Sequence, residues 1–321
     1  MNVAISQVHP AQPEEWDVIW RQCDYATYFH SQEWAEIVSC YKEGKYLPNP
    51  LLVIFSDGKK ALLALSCTMW ECAGTSGQYF LSPVNGIYGG WIAADSLSRE
   101  HAFLMKEFLT QKLGYLFWQI NPFDDLVTAT GVDATFNGET LVINLESGFD
   151  SVHKDWKASC RRAERKAVRS NIMVKVADKK EDWREYYRVY EDSFRRWGDQ
   201  AQDHNIDWKI FQEMLFNRQS SHIKLWLATT KDELIVAGAL MFYAKKHVYY
   251  FHGAALENYF ALRPVNLLFY KIIKDACDKD YRWFDFGRSG SEGVRRFKRS
   301  FGARPMDCKY VDIRPESWDI V

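Results

Sequence analysis

No charge of one sign dominates this chain. Its 41 Lys and Arg stand against 42 Asp and Glu, for a formal net charge of −1. Global charge therefore gives no reason to expect DNA as a partner, and only local patches can recruit a polyanion. The seven cysteines are odd in number and include no Cys-x-x-Cys. That excludes a disulfide framework and a structural zinc site as expectations, and fits reduced thiols in the cytoplasm. The histidines form no His-x-x-x-His or His-x-His pair, so no metal site is expected. A Gly-x-Ser-x-Gly elbow and a phosphate-binding lysine loop are also missing. No apolar run approaches the ~20 residues that cross a bilayer. The opening Met1–Ser6 has no basic region followed by an apolar core, so no signal peptide is expected there. A lipid-linked substrate would have to be met from the membrane surface.

Aromatic residues, in contrast, are abundant, at 16% of 321 residues. They favour broad buried surfaces or stacking sites over disorder. The length suits two domains of ordinary size. The first half reads as mixed α/β. Helices are expected over Glu14–Arg21, from Ser31 and over Leu97–Leu113. Strands are expected at Leu51–Phe55, Ala61–Trp70, Gly86–Ala93, Tyr115–Asn121 and Thr140–Leu145, with Asp57-Gly58 as a hairpin turn. The second half opens with a basic helix, Ser151–Ser170, then helices Glu181–Trp197 and Asp207–Arg218. The apolar runs Ile223–Thr229, Leu234–Tyr243 and His247–Ala254 have short polar linkers and predict an antiparallel meander. Helix Pro264–Asp278, strand Trp283–Phe286, a short cationic helix and strand Asp307–Ile313 complete the order, which is that of an acyltransferase of the GNAT type. The first half gives a weaker version of it. The boundary is expected near residues 147–150, for domains 1–148 and 149–321.

Three segments carry candidate chemistry. In the basic helix, Lys157, Arg161, Arg165 and Arg169 recur at every fourth residue and share a face. Such a stripe suits tRNA phosphates, nucleotide-sugar diphosphates or anionic lipid head groups, or else is a solvated face. In the strand Val248–Gly253, alternation places Val248, Tyr250 and His252 together. His252 titrates near neutrality and suits removal of a proton from an attacking ammonium, while Tyr250 suits a hydrogen bond to a carbonyl or a leaving group. The alternative is a central strand filled with buried rings. In the segment Tyr281–Pro305, Ser289 and Glu292 have capping-box spacing. Val294, Phe297 and Phe301 form an apolar stripe, and Lys298 lies at its edge, as a phosphate or carbonyl contact or as a snorkelling lysine. Asp285, between Phe284 and Phe286, is suited to fixing Arg288 or Lys298.

Four stretches together resemble the FemABX-like branch of the GNAT superfamily, which includes the peptidoglycan-bridge aminoacyltransferases. They are His30-Ser31-Gln32-Glu33-Trp34, the basic run Arg161–Val174, Glu191–Gly198, and Asp285-Phe286-Gly287-x-Ser289 with Phe297-Lys298-x-x-Phe301-Gly302. The resemblance spans both halves, and its last stretch is the most specific. It implies tandem GNAT-like domains of α+β type, each a mixed, mostly antiparallel sheet flanked by helices. It implies transfer of an acyl or aminoacyl group to an amine, with His252, Tyr250 and Lys298 at the reaction. Arg196, Arg263, Asp285, Arg288, Ser289 and Trp34 are the implied substrate contacts. The donor is aminoacyl-tRNA or acyl-CoA, no further cofactor is required, and the acceptor is a lipid- or nucleotide-linked precursor of cell wall or surface polymer. The alternatives are an acyl-CoA-dependent N-acetyltransferase of small-molecule or sugar amines and a non-catalytic anion-binding protein. The expected location is the cytoplasm, with peripheral contact at the inner membrane face through the basic helix. Two features depart from relatives. The turn before Pro264 has no glycine where GNAT enzymes cradle a pyrophosphate with backbone N–H groups, and no heptad-bearing helical arm is present.

Overall fold

The computed structural model describes residues 3–72, 75–198, 207–216, 220–288 and 290–314. Its contacts form two compact units, 1–139 with 306–321, and 140–305.

The first unit holds two sheets. One has the order β1-β3-β4-β7, from β1 (Ile5–Pro10), β3 (Leu51–Phe55), β4 (Lys60–Leu63) and β7 (Trp91–Ile92). The expected Asp-Gly hairpin is present: Leu51 faces Leu63 across β3 and β4, and Gly58 takes the positive φ that the turn demands. The apolar run that reads as one strand, Ala61–Trp70, divides after Leu63. Its second part, β5 (Ser66–Cys72), joins β2 (Leu47–Pro48), β6 (Thr75–Ser82), β8 (Tyr115–Gln119) and β15 (Arg304–Ile313) in the order β2-β5-β6-β8-β15. The last strand of the chain thus pairs with β8, Tyr310 opposite Gln119, in the first unit. Helices α1 (Pro13–Gln22), α2 (Gln32–Tyr41), α3 (Arg99–Glu107) and α4 (Asp125–Ala129) accompany these sheets. Ser31 caps α2 by accepting the Trp34 backbone N–H, the role its position before an apolar-periodic run predicts. Leu63, Phe80, Met105, Leu109 and Trp118 lie in this unit's core.

The second unit is one sheet with helices on both faces. Strands β10 (Met173–Val176), β11 (Ile223–Thr229), β12 (Ile235–Tyr243) and β13 (His247–Ala255) form the expected antiparallel meander. Strand β14 (Trp283–Arg288) runs parallel to β13, and residues 140–144 of β9 (Phe136–Asn144) lie antiparallel beyond it. Helix α9 (Pro264–Asp278) connects the parallel pair, with Pro264 at its first turn, where no N–H is needed. Every residue of β12 is buried, as a strand covered on both faces requires. On one face lie α5 (Phe149–Asp155), α6 (Ala158–Arg169), α9 and α10 (Glu292–Arg299), packed through Trp156, Phe269, Phe297 and Phe301. On the other, α7 (Lys180–Trp197) and α8 (Trp208–Phe216) contribute Tyr186, Tyr190 and Phe211.

Two local expectations change. The basic helix Ser151–Ser170 is two helices, broken at Trp156-Lys157. Trp156 is buried there edge-on to Phe301, and the Lys157 N–H bonds Ser300 O at 2.9 Å, so tertiary contacts override helical continuation. The start of α10 is set by Ser291, whose hydroxyl accepts the Val294 N–H at 3.5 Å. The Ser289–Glu292 box therefore does not set the helix start, and Ser289 itself lies outside the described residues.

Candidate functional site

The ladder between β13 and β14 is short. His247, Val248 and Tyr249 pair with Trp283, Phe284 and Asp285. Among the described residues it ends there, although β13 continues to Ala255 and β14 to Arg288. The unpaired halves of these two strands carry Tyr250, His252 and Arg288, and Lys298 reaches them from α10.

Lys298 is the decisive residue. It is 7% exposed, whereas Val294, expected to face inward with Phe297 and Phe301, is 43% exposed. The lysine takes the inward position and does not snorkel. Its Nζ donates to Phe286 O and Arg288 O, both at 2.6 Å. Burial lowers its pKa to about 8, and the Asp285 carboxylate opposes that fall. An ammonium has three donors; strand carbonyls fix two of them.

Asp285 is fully buried beside it. Its carboxylate accepts from Thr140 Oγ1 at 2.7 Å, from the Gly287 N–H at 2.7 Å, and meets His247 Nε2 at 3.2 Å. A buried carboxylate costs several kcal/mol unless it is saturated in this way. The network fixes the bend at Gly287, which has φ +71° and is therefore a glycine for steric reasons. Asp285 thus acts on Lys298 through the strand and through its charge. Arg288 is exposed at the end of β14.

Tyr250 and His252 do not share a face, contrary to the alternation rule. The register of β12 against β13 shifts between Leu240↔His252 and Met241↔Tyr250, leaving Phe251 as a bulge. Tyr250 points toward α9 and β14, edge-on to Phe269 at 5.0 Å and Phe286 at 6.2 Å. Burial raises its pKa, so it remains a neutral hydroxyl donor at ordinary pH. Its hydroxyl lies against Gly253, where an added Cβ would come within 2.2 Å of Oη. His252 turns the other way. Its Nδ1 lies 2.8 Å from Tyr186 Oη, and the rings of Tyr190, Trp197 and Phe211 surround it. Gly238 makes room for Tyr186, since a Cβ there would meet that ring at 2.5 Å. The structure therefore brings Tyr250, Lys298, Asp285 and Arg288 together around β14, and places His252 behind the sheet.

Arg196 is held at the far end of β13. Its guanidinium donates to Ala255 O at 2.6 Å and Ser193 Oγ at 2.9 Å, and covers the Phe260 ring at 4.9 Å. Phe260 belongs to a 3₁₀ turn, Glu257–Leu262, that leads into α9. Arg263 follows at φ +61° and is exposed, so both arginines flank this turn. The turn offers few free amides. The N–H groups of Tyr259, Arg263 and Asn266 bond Leu256 O, Phe260 O and Arg263 O, and Pro264 has none. Trp34 lies in the first unit, 1% exposed, with its indole N–H on Val84 O at 2.8 Å. The cationic stripe is also divided: Arg161 turns inward and closes the end of α5 by donating to Lys154 O at 2.6 Å and to Trp156 O. Among the described residues, no three His, Cys, Asp or Glu side chains gather as metal ligands.

Residues 154–299, from the end of α5 to the end of α10, match the family profile of the acetyltransferase (GNAT) domain. This segment is a GNAT acyltransferase domain. No curated protein matches the chain by sequence. Among solved structures, FemX is similar over 95% of this chain and 97% of its own, with TM-score 0.73 at 13% identity. L-PGS from Bacillus licheniformis matches over 96% and 94%, with TM-score 0.56 at 15% identity. The C-terminal domain of a putative lysylphosphatidylglycerol synthetase from Agrobacterium fabrum matches over 92% and 89%, with TM-score 0.52 at 14% identity. At these identities the likeness is one of fold, and it extends over both units. A GNAT fold implies an acyl donor and an amine acceptor. Reading the sequence overlooked the His247–Asp285 pair and the two glycines that seat Tyr186 and Tyr250. Only Gly238 and Gly253, out of place inside strand patterns, offered a signal.

Proposed function

We propose that this protein transfers an aminoacyl or acyl group to an amine of a cell-wall or surface-polymer precursor, with Lys298 as the electrophilic group. The observation that carries this reading is the buried ammonium with two donors fixed on Phe286 O and Arg288 O. In this reading the amine attacks the activated acyl carbon in the gap between β13 and β14. The third Lys298 proton stabilises the developing oxyanion, and Tyr250 donates a proton to the departing oxygen or sulfur. The attacking ammonium loses its proton to water or to the substrate. His252, on the opposite face, holds α7 through Tyr186. Arg196, Arg263 and Arg288 supply cations for donor or acceptor phosphates, with Ser289 next to them in sequence. Trp34 serves its own unit.

For the donor, the tightly folded turn before α9 favours aminoacyl-tRNA over coenzyme A. A pyrophosphate cradle needs several outward N–H groups, and three there are bonded inward while a fourth position is proline. Titrating the purified protein with a charged tRNA and with coenzyme A distinguishes the two. Saturable tRNA binding without coenzyme A binding is expected; the reverse result moves the assignment to an acyl-CoA-dependent N-acyltransferase. Loss of turnover in Lys298→Ala with the fold retained tests catalysis itself, and unchanged turnover would sink the role of Lys298.

A further inference from the structure

Helix α6 carries a patch of charge that the acyl-transfer site does not use. Arg161, Arg162, Arg165, Lys166 and Arg169 are its cations, and Glu164 is its single acid. Glu164 is 8% exposed and turned to the protein side, where burial raises its pKa against the pull of Arg165 and of Lys271 on α9. Arg161 is occupied at the end of α5. The remaining four, Arg162, Arg165, Lys166 and Arg169, are all exposed, and no ion pair or side-chain hydrogen bond engages any of them among the described residues. At 100° per residue they span roughly a 100° arc opposite Cys160, Glu164 and Ala167, which pack inward. Lys157, at the N-cap of α6, and Lys154, on α5, are also exposed.

Uncompensated clusters of this density are unusual on a chain of net charge −1, since surface cations ordinarily have acids interspersed among them. Two exposed apolar side chains lie close in sequence to these cations. Val168, on α6 at the edge of the cationic arc, is 53% exposed, and Met173, four residues past its end at the start of β10, is 49% exposed. Helix α6 has no aromatic residue on which a nucleobase could stack. Cations facing outward with apolar groups beside them match the interface of an anionic bilayer, where phosphates meet the charges and side chains such as valine and methionine enter the acyl boundary.

We infer that the outer face of α6 docks the protein on anionic lipid bilayers through Arg162, Arg165, Lys166 and Arg169, with Val168 and Met173 entering the interface. The inference rests on the reading above only in that it would bring the β13–β14 cleft to lipid-linked amines. No described helix is long and apolar enough to cross a membrane, and this surface supplies reversible attachment in its place.

The test is cosedimentation of the whole protein with vesicles of phosphatidylglycerol and phosphatidylcholine, against pure phosphatidylcholine, a measurement that needs no turnover. Binding to the anionic vesicles alone is expected, weakening as salt rises from about 0.05 to 0.5 M. Each cation contributes on the order of fivefold in partitioning, so R162E/R165E/K166E/R169E should lose at least about a hundredfold. K231E/K245E, which alters exposed lysines outside α6, should bind as the parent does. Should the glutamate variant misfold by circular dichroism, the glutamine quadruple variant replaces it, with a smaller loss expected. Equal binding to neutral vesicles, or retained binding in the α6 variants, overturns the proposal. So does displacement of the protein from vesicles by an unrelated RNA hairpin at lower concentration than free lipid phosphate requires, which would assign the face to RNA. The Lys298→Ala turnover assay on soluble substrate is independent of every one of these outcomes.

Discussion

At the scale of single residues, Lys298 makes the sharpest claims. An oxyanion donor must be protonated, and burial has lowered this lysine from its ordinary value to about 8. Turnover should therefore decline as pH rises through about 8, two units below where a solvated lysine would lose its proton; a rate flat to pH 10 would remove the cation from the mechanism. Asp285 opposes the depression, so Asp285→Asn should move that limb to lower pH as well as slow the reaction. A merely structural aspartate would reduce protein yield and leave the limb in place. Replacing Lys298 by methionine removes one oxyanion donor, a change worth about 10² to 10³ in rate. It also leaves two carbonyls without their partner, at about 1–3 kcal/mol each where they are buried. The glycines are as specific. Gly253→Ala puts a methyl where the Tyr250 hydroxyl stands, so it should lose activity together with Tyr250→Phe. Gly238→Ala presses on Tyr186 behind the sheet and should lower stability by about 1–3 kcal/mol, measured by denaturant unfolding, with a smaller effect on rate.

At the scale of elements, the sequence was most informative where a pattern is local. The meander β11–β13, the Asp57-Gly58 hairpin and the proline-led α9 all follow from short-range rules, and all are present. It was least informative where a partner elsewhere decides. Strict alternation puts Tyr250 and His252 on one face, but an extra residue at Phe251 reverses every side chain after it. Nothing in Val248–Gly253 announces that bulge, because it arises from the fit of β13 to β12. Likewise a periodic basic run reads as one helix until Trp156 is needed beside Phe301. Arg161 shows the consequence: a residue grouped by spacing with phosphate ligands closes the end of α5. Arg161→Gln should destabilise the second unit by about 1–3 kcal/mol, the range for hydrogen bonds to a charged group, with little effect on vesicle binding. Lys298 itself was misread as an edge residue, since helical spacing ranks it below Val294 for burial and takes no account of two strand carbonyls awaiting a donor.

At the scale of the whole molecule, the GNAT profile covers 154–299 while the FemX likeness covers 95% of the chain. The fold of the second unit was legible from element order alone, and the first unit only as a weaker copy of it. The candidate site is legible in part: Lys298, Tyr250 and Asp285 gather, as their segments suggested, whereas His252 does not join them.

The pairing of β15 with β8 has a consequence for biosynthesis. Residues 304–313 pair with β8, Tyr115–Gln119, a strand made far earlier in the chain. Until that strand is made, the edge of β8 in the first unit stays open. A released fragment ending at residue 305 should therefore resist protease across 140–305 and be cut more readily within 1–139.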